Sequence, residues 1–375
     1  MSAFTLRVRY LRALREVTWN VPALAVVIGA NASGKSTLLL VLKLLRAAYD
    51  RGLPEAVATV LGGSHNLKSW GADDDEPVEL GVVLGDLEWR ATLIPRGASV
   101  DYLNPETLVA NGLTVYEKDS LGKFIYGAET LGADQRLGVR ALVDAGRKDP
   151  HVARLANFMK SITVFHDPDL WALRTQGSAT SDDRHLHSRG LNAITMLRKW
   201  HQERPHRVRY QFVLDGLKAA FPGAVADVDF GEAGQTLVAQ IYKPGRETPS
   251  PLASEANGVL QLLVLLCDVA GGDRGGVVAI DEPENCLHPF AIRCFLRVAS
   301  AYARRENITL ILTTHSPALL DELGGDLESI FVMRTGDHVL PEPLVKVRDP
   351  AWLENFRLGN VYSDGEIGSN DDPES

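Results

Sequence analysis

The sequence predicts an α/β protein built on a parallel sheet, with an insertion between the two halves of that sheet. Three apolar runs have the pattern of strands that are buried on both faces: Ala23–Ile28, Gly276–Asp281 and Thr309–Thr313. Each of the first two is followed by a segment with helical periodicity. Because strands alternate with helices at both ends of the chain, we expect a parallel sheet whose halves are separated in sequence.

The first half of the predicted domain spans residues 1–130. Phe4–Tyr10 alternates apolar and charged residues, as a half-buried strand does. Ser36–Tyr49 is a long apolar stretch, which predicts a buried helix after a glycine-rich turn. Val78–Leu84 and Leu87–Pro95 alternate again, and together they predict a β-meander.

Helical periodicity dominates residues 131–224, so we expect an inserted helical lobe there. Sustained heptads are absent, which argues against a coiled coil. The periodic segments lie near Val152–Ile162, Leu191–Gln202 and Tyr210–Phe221.

We place the second half of the domain at residues 225–357 and an acidic tail at residues 358–375. Asp364–Ser375 carries five acidic residues and no basic one, so we expect it to be disordered. The remaining predicted elements are strands at Val225–Phe230 and Gln235–Tyr242, an amphipathic helix at Asn257–Val269 and a helix at Pro289–Arg305.

Composition and charge narrow the class of protein. The chain has 375 residues, of which 45% are hydrophobic and 23% charged, as in ordinary globular proteins. Its formal net charge of −9 argues against a surface that binds nucleic acid throughout, but is compatible with a local basic face. No apolar run approaches the ~18 residues of a membrane helix. Cys267, Cys286 and Cys294 show no paired spacing, so we expect reduced thiols in a cytoplasmic protein.

A glycine-rich segment between the first buried strand and the following helix matches the phosphate-binding pattern G-x-x-x-x-G-K-[ST]. Glycines let backbone N–H groups converge on phosphate oxygens, and the positive end of the helix adds to this attraction. We expect Lys35 to neutralise the β- and γ-phosphates of ATP, Ser36 to ligate Mg²⁺ and Thr37 to reach the α-phosphate. The strand–loop–helix context disfavours a chance match. The candidate residues of this loop are Gly29, Asn31, Ser33, Gly34, Lys35, Ser36 and Thr37.

Two carboxylates, Asp281 and Glu282, follow the apolar strand Val277–Ile280. We expect Asp281 to hold Mg²⁺ through water and Glu282 to polarise the water that attacks the nucleotide. A pair of acids after a strand more often caps the next helix. The phosphate-binding loop elsewhere in the chain favours the nucleotide interpretation.

His315 follows the next buried strand, Thr309–Thr313, within the segment Thr313-Thr-His-Ser-Pro317. The carboxyl ends of parallel strands meet at one edge of a sheet, which is where the phosphate-binding loop also lies. A single histidine is more often structural, but one strand–helix–strand unit separates it from Asp281. We therefore expect His315 to sense the γ-phosphate.

These motifs resemble those of the predicted ABC-type ATPases related to RecF, SMC and OLD proteins. Asp281-Glu-Pro-Glu-Asn-Cys-Leu-His-Pro289 and the segment around His315 resemble the Walker B, D-loop and switch-histidine motifs of that group. The resemblance covers nearly the whole chain and implies an ABC-type fold, ATP and Mg²⁺ as cofactors, and a homodimer that encloses ATP. It also implies that Arg12 approaches the nucleotide, and it includes a closing stretch, Leu358–Gly368.

The group also has a signature loop that contacts the γ-phosphate of the opposite subunit. The best match is Ala253–Gly258, where Asn257 and Gly258 begin a helix and are the candidate residues for this contact. Ala256 stands where the usual serine is expected, and Ser254 replaces it only if the loop differs by one turn. Gln135 and Gln176 are alternative Q-loop residues, and Cys286 occupies a D-loop position where glycine is common.

Residues 184–209 form a basic cluster in an otherwise acidic chain. A solvated helical face and a surface that binds DNA or a partner are both compatible with it. The cations of the cluster are Arg184, Arg189, Arg198, Lys199, Arg204, Arg207 and Arg209.

We expect an ATP-hydrolysing, ATP-gated dimeric switch in anti-phage defence or DNA maintenance, acting with a separate effector such as a nuclease or toxin. The alternative is a DNA-binding repair ATPase of the RecF type that needs no effector nuclease. A self-contained OLD-type nuclease is disfavoured, since no DxD motif of a TOPRIM domain follows Pro317. A transporter ATPase is disfavoured by the lack of LSGGQ, and a GTPase by the lack of N-K-x-D.

Overall fold

The structure is a computed structural model that describes residues 3–73, 76–96, 99–101, 105–119, 123–132, 136–179, 185–233, 236–336 and 340–368. Its strands are, in chain order, β1 (Phe4–Leu11), β2 (Leu14–Val21), β3 (Leu24–Gly29), β4 (Val78–Leu84), β5 (Leu87–Arg96), β6 (Ser99–Asp101), β7 (Glu106–Ala110), β8 (Leu113–Lys118), β9 (Phe124–Tyr126), β10 (Glu129–Leu131), β11 (Ile162–Phe165), β12 (Ser178–Ala179), β13 (Asp227–Ala233), β14 (Thr236–Tyr242), β15 (Ser250–Pro251), β16 (Val277–Asp281), β17 (Thr309–Thr313), β18 (Ile330–Met333) and β19 (Glu342–Pro343).

The α-helices vary from single turns to helices of several turns. They are α1 (Lys35–Arg51), α2 (Leu53–Ala56), α3 (Gly138–Asp144), α4 (Pro150–Lys160), α5 (Leu170–Gln176), α6 (Ala193–Gln202), α7 (Arg207–Ala220), α8 (Asn257–Gly271), α9 (Pro289–Glu306), α10 (Pro317–Glu322), α11 (Leu344–Val347), α12 (Pro350–Leu353) and α13 (Leu358–Ser363). Among the described residues, no helix is both long enough and apolar enough to span a bilayer.

The chain divides into two compact units. Unit 1 comprises Met1–Ile162, Glu328–Asp349 and Gly365–Ser375, and unit 2 comprises Thr163–Leu327 and Pro350–Asp364. Both units mix sheets with helices, as the predicted α/β class requires.

Unit 1 contains a large antiparallel sheet with the strand order β10-β9-β8-β7-β5-β4-β1-β2, to which β6 adds beside β5. The predicted meander is therefore present. In the same unit β18 pairs with β3 in parallel and with β19 in antiparallel fashion. A Cβ atom on Gly29, the last residue of β3, would lie 2.1 Å from the carbonyl oxygen of Met333. This close approach requires glycine there whether or not a ligand binds.

Unit 2 contains the neighbouring strands β11, β16 and β17 and a smaller sheet with the order β12-β14-β13, where β15 pairs with β14. Strands β16 and β17 are parallel, with Asp281 in register with Thr313. Every residue of α8 from Val259 to Gly271 is buried, because α8 packs against α5, α6, α7 and α9. The prediction that this helix is amphipathic is therefore wrong, since its leucines and valines face packing partners on all sides.

Two local predictions need correction. Ile162 belongs to strand β11 rather than to the preceding helix, which ends at Lys160. Part of the expected acidic tail is also ordered, because Ile367 is buried and Arg348 donates hydrogen bonds to the carbonyl oxygen of Glu366. The rest of the expected disordered tail, residues 369–375, lies outside the described residues.

Candidate functional site

The phosphate-binding loop of unit 1 connects β3 to α1. Ala32 and Gly34 both have left-handed backbone conformations, with φ of 65° and 93°. Alternating left-handed residues turn successive N–H groups toward one side of a loop, which makes a concave anion site. The loop ends in the first turn of α1, whose N–H groups and dipole point the same way.

The polar side chains of this loop suit a chain of phosphates. Lys35 is buried, and its Nζ donates to the carbonyl oxygens of Gly29 and Ala30 at 2.8 Å each. The hydroxyl of Ser33 is buried and has no hydrogen-bond partner among the described residues, so a phosphate oxygen would satisfy it. Asn31 and Ser36 are exposed, and Thr37 is partly exposed. The donor set therefore fits the nucleotide that the sequence predicts.

Arg12 lies in the turn between β1 and β2, also in unit 1. It is exposed and has a left-handed backbone, with φ of 52°. Its N–H donates to the carbonyl oxygen of Leu67 at 3.0 Å, which fixes the turn and leaves the guanidinium on the surface. Its approach to a nucleotide remains a prediction.

Asp281 of unit 2 ends β16, and its side chain is 8% exposed. Thr313, in register on β17, donates its hydroxyl hydrogen bond to one carboxylate oxygen of Asp281. Nδ1 of His166 lies 3.0 Å from the other carboxylate oxygen. A carboxylate held by Thr313 of β17 and by His166, the residue after β11, is pre-organised for the metal-binding role that the sequence predicts.

Glu282 adopts a left-handed backbone conformation, with φ of 47°. Its N–H donates to the carbonyl oxygen of Thr313 at 3.1 Å, so β17 holds the strained residue in place. One carboxylate oxygen accepts a hydrogen bond from Asn285 at 3.4 Å, and the other lies 3.8 Å from Nε2 of His315. The two predicted catalytic side chains of unit 2 therefore face each other.

Glu284 fixes the backbone at His315. Its carboxylate accepts hydrogen bonds from the hydroxyl of Thr314 at 2.8 Å and from the N–H of His315 at 2.6 Å. Burial raises the pKa of Glu284, and nearby Glu282 adds to that shift, although the two hydrogen bonds oppose it. The position of the histidine thus depends on the residue two places after Glu282.

The predicted signature residues Asn257 and Gly258 form the first turn of α8. Ala256 is the N-cap residue and has no side chain to cap the helix. The hydroxyl of the alternative residue, Ser254, donates to the carbonyl oxygen of Pro251 at 2.7 Å. A Cβ atom on Gly258 would approach the carbonyl oxygen of Cys286 to 3.2 Å. Gly258 therefore packs closely against the D-loop, where Cys286 itself has φ of 64°.

Four contacts brace the residues at the start of α8. Arg174, on α5, donates from Nη2 to the carbonyl oxygen of Glu255 and to Oδ1 of Asn257, each at 2.8 Å. The buried carboxylate of Glu255 accepts from Ser250 at 2.6 Å and pairs with Lys243 at 2.9 Å. Burial alone would raise the pKa of Glu255, but these two partners lower it.

Outside the segments that carry Asp281 and His315, sequence reasoning missed three residues that touch the predicted site residues: His166, Arg174 and Tyr362. His166 and Arg174 flank the short run Asp167–Leu173. The one sequence feature that could have drawn attention to this segment is the strand of four residues, β11, that precedes it. Tyr362 lies in the predicted closing stretch, and its hydroxyl is 2.9 Å from Nδ1 of His315. Of the two Q-loop alternatives, Gln176 ends α5, and Gln135 lies outside the described residues.

The basic cluster is partly neutralised within unit 2. Arg189 pairs with Asp169 at 3.0 Å, and Arg198 pairs with Glu232 at 2.8 Å. Arg204 and Arg207 are exposed, whereas Arg184 lies outside the described residues. The surface available for an anionic partner is therefore narrower than the sequence suggests.

Comparisons with known proteins support the resemblance seen in the motifs. A family model described as "AAA domain, putative AbiEii toxin, Type IV TA system" matches residues 150–321. An OLD nuclease of Thermus scotoductus is 32% identical over 96 residues, which cover 24% of this chain and 18% of that protein. The match thus spans less than a fifth of the length of that relative.

Two solved structures of SMC head domains share the fold. One is the head bound to the C-terminal winged-helix domain of ScpA, with a TM-score of 0.56, 12% identity and coverage of 92% of this chain and 99% of that chain. The other, derived from Pyrococcus furiosus, carries an extended coiled coil and is bound to the C-terminal domain of ScpA. It has a TM-score of 0.52, 11% identity and coverage of 92% of this chain and 96% of that chain. At these identities, the likeness shows the fold alone.

Proposed function

Because the chain is an ABC-type ATPase of the RecF/SMC/OLD-like branch, we propose that it binds and hydrolyses ATP as an ATP-gated dimeric switch. The observation that carries hydrolysis is the pair Glu282 and His315. A strained glutamate faces a histidine at 3.8 Å, directly after a buried strand. Strained backbone of this kind is concentrated at functional sites.

Each predicted residue has a role that follows from its chemistry. Lys35 and the N–H groups at the start of α1 bind the phosphates, and Glu282 accepts a proton from the attacking water. Ser36 and Asp281 would hold Mg²⁺, which neutralises charge on the phosphates. His315 donates a hydrogen bond toward the γ-phosphate.

The dimer part of the proposal rests on the start of α8. Asn257 is exposed at the positive end of a helix of 15 residues. The γ-phosphate of ATP bound to a second copy of the chain would be stabilised there. The fixed position of Asn257, held by Arg174, supports a pre-organised contact rather than a mobile loop. Without ATP, this contact has no anion to meet, so association depends on the nucleotide.

The variant Glu282→Gln tests the proposal. The amide keeps the shape of the side chain but cannot take up the proton, so turnover should fall by about 10²–10⁴-fold. Binding should persist, because the phosphate-binding residues are unchanged. Light scattering should then show a rise in mass when Mg-ATP is added.

The matched control is Glu306→Gln, which makes the same chemical change at the end of α9, where Glu306 pairs with Arg305. Its turnover should equal that of the wild type. Unchanged hydrolysis in Glu282→Gln would refute the catalytic assignment. If hydrolysis is lost but the mass stays constant when Mg-ATP is added, the catalytic role of Glu282 is supported and the ATP-dependent dimer is rejected.

For the biological role, we propose anti-phage defence or DNA maintenance in the cytoplasm, with a separate nuclease or toxin as effector. The OLD nuclease relative and the toxin-system family description support this class of role. The alternative, a RecF-type repair ATPase that binds DNA without an effector nuclease, is supported only by the exposed Arg204 and Arg207. Plating phage on cells that express the wild type or Glu282→Gln distinguishes the two roles. A defence role requires that the wild type protects the cells and that Glu282→Gln does not.

A further inference from the structure

Both nitrogens of the His315 ring have a defined neighbour in unit 2. Nε2 faces the carboxylate of Glu282 at 3.8 Å, and Nδ1 lies 2.9 Å from the hydroxyl of Tyr362. Tyr362 belongs to α13, far from His315 in sequence. We propose that Tyr362 is a positioning residue, which holds His315 in the neutral tautomer with its proton on Nε2. This inference deepens the proposed ATPase function and rests on it.

The hydrogen-bonding capacity of the neighbours determines the tautomer. An ionised carboxylate only accepts hydrogen bonds, so the nitrogen that faces Glu282 is favoured as the one that carries hydrogen. Nδ1 of the neutral ring then has a lone pair, and the O–H of Tyr362 is the donor that it needs. The second nitrogen of a histidine commonly sets the tautomer of the first in this way. Nε2–H is thereby aimed at the side of the ring where Glu282 activates water.

The packing of α13 explains why tyrosine reaches this point. A Cβ atom on Gly359 would lie 2.5 Å from the carbonyl oxygen of Pro317, the first residue of α10. The N–H of Gly359 also donates to Oδ1 of Asp321, later in α10, at 2.9 Å. Since α10 begins two residues after His315, α13 is docked on the element that follows the histidine. Tyr362 lies three residues after Gly359, about one helical turn further along α13.

This arrangement gives the closing stretch Leu358–Gly368 a function that its sequence alone does not disclose. Gly359 permits the close approach of α13 to α10, and this approach brings the hydroxyl of Tyr362 to His315. Helix α13, the first part of this stretch, therefore completes the environment of His315 instead of forming a tail.

The first test is independent of catalysis. In nitrogen-15 NMR spectra of histidine-labelled protein, with His315→Gln used to assign the signal, the wild type should show Nε2 protonated and Nδ1 bare. Tyr362→Phe, which removes only the hydroxyl, should shift the two ring signals toward a mixture of tautomers. Identical ring signals in the two proteins would overturn the proposal.

The second test is kinetic. Tyr362→Phe should lower kcat by roughly 3- to 10-fold, the value of one hydrogen bond, and leave KM for ATP nearly unchanged. In a His315→Ala background the same change should have no effect, because Tyr362 acts through the histidine. Tyr302→Phe on α9 is the matched control and should keep full kcat. An equal loss with and without His315 would reject the positioning role.

The two tests also separate this proposal from the proposed function. If the wild type does not hydrolyse ATP, the ATPase proposal fails while the ring signals still report on Tyr362. If hydrolysis depends on Glu282 but Tyr362→Phe changes neither kcat nor the ring signals, only the positioning proposal fails.

Discussion

Arg174 is the clearest point at which to perturb the signature residues without touching the packing of Gly258. It is the donor of two hydrogen bonds, to the backbone of Glu255 and to the side chain of Asn257. Substitution at Gly258 would confuse two effects, since any side chain there meets the D-loop carbonyl of Cys286. Arg174→Ala leaves that contact intact and releases the side chain of Asn257 together with the carbonyl oxygen of Glu255.

The expected loss follows from the environment of the two bonds. Hydrogen bonds that involve a charged group contribute about 1.5–3 kcal/mol, and exposed ion-assisted contacts contribute less. The bond to Glu255 is partly buried and that to Asn257 is exposed. We therefore expect the pair to contribute about 1–2 kcal/mol to ATP-dependent association, a factor of about 5–30.

Sedimentation of Arg174→Ala in the Glu282→Gln background, with Mg-ATP, measures this directly. The protein concentration at half-association should rise by this factor of about 5–30. Arg174→Lys should give a concentration between those of Arg174→Ala and the Glu282→Gln background. Arg297→Ala is the control, because it also removes two arginine hydrogen bonds in unit 2, both to Glu322. Association curves that superimpose for Arg174→Ala and its background would refute the reasoning.

Three further predictions concern binding, pH and charge. Lys35→Ala should weaken ATP binding at least about tenfold, since a charge-assisted contact is lost; calorimetry with unchanged affinity would contradict this. Burial raises the pKa of Asp268 from 3.8 to about 8, so its stabilising effect is full below pH 4 and is lost as pH rises toward 8. Relative to Asp268→Asn, the wild type should therefore lose up to about 1.4 kcal/mol of unfolding free energy per pH unit between pH 5 and 8. Urea denaturation measures this free energy, and the same pH dependence in both proteins would refute the prediction. If Arg204 and Arg207 contact DNA, substitution of both by Glu should reduce the slope of log affinity against log salt concentration by about 2. If the wild type does not bind DNA in the presence of ATP, the two arginines belong to a solvated surface.

The elements that carry the motifs could be predicted from sequence because each has a strong local signal. Strand β17 has the predicted bounds, and α1 begins one residue before its predicted start. The apolar runs and the glycine-rich loop are short-range patterns, so they need no knowledge of the rest of the fold. The same holds for Glu282, which directly follows β16, and for His315, which lies two residues after the end of β17.

The supporting contacts could not be predicted, because they join residues that are distant in sequence. Nothing near Tyr362 indicates that its hydroxyl meets a histidine, and nothing near His166 indicates that it meets Asp281. The all-round burial of α8 was missed for the same reason. Periodicity reports one apolar face, but only the packing of four other helices shows that every face is covered.

The chemistry of the three thiols offers a practical route to watching the D-loop. Cys286 is exposed, whereas Cys267 and Cys294 are buried, and burial raises the pKa of both buried thiols. Thiolate, not thiol, reacts with maleimides, so a fluorophore added to the unmodified protein attaches selectively to Cys286. Its emission then reports the surroundings of the loop beside Gly258 as nucleotide is added, and no cysteine has to be engineered or removed.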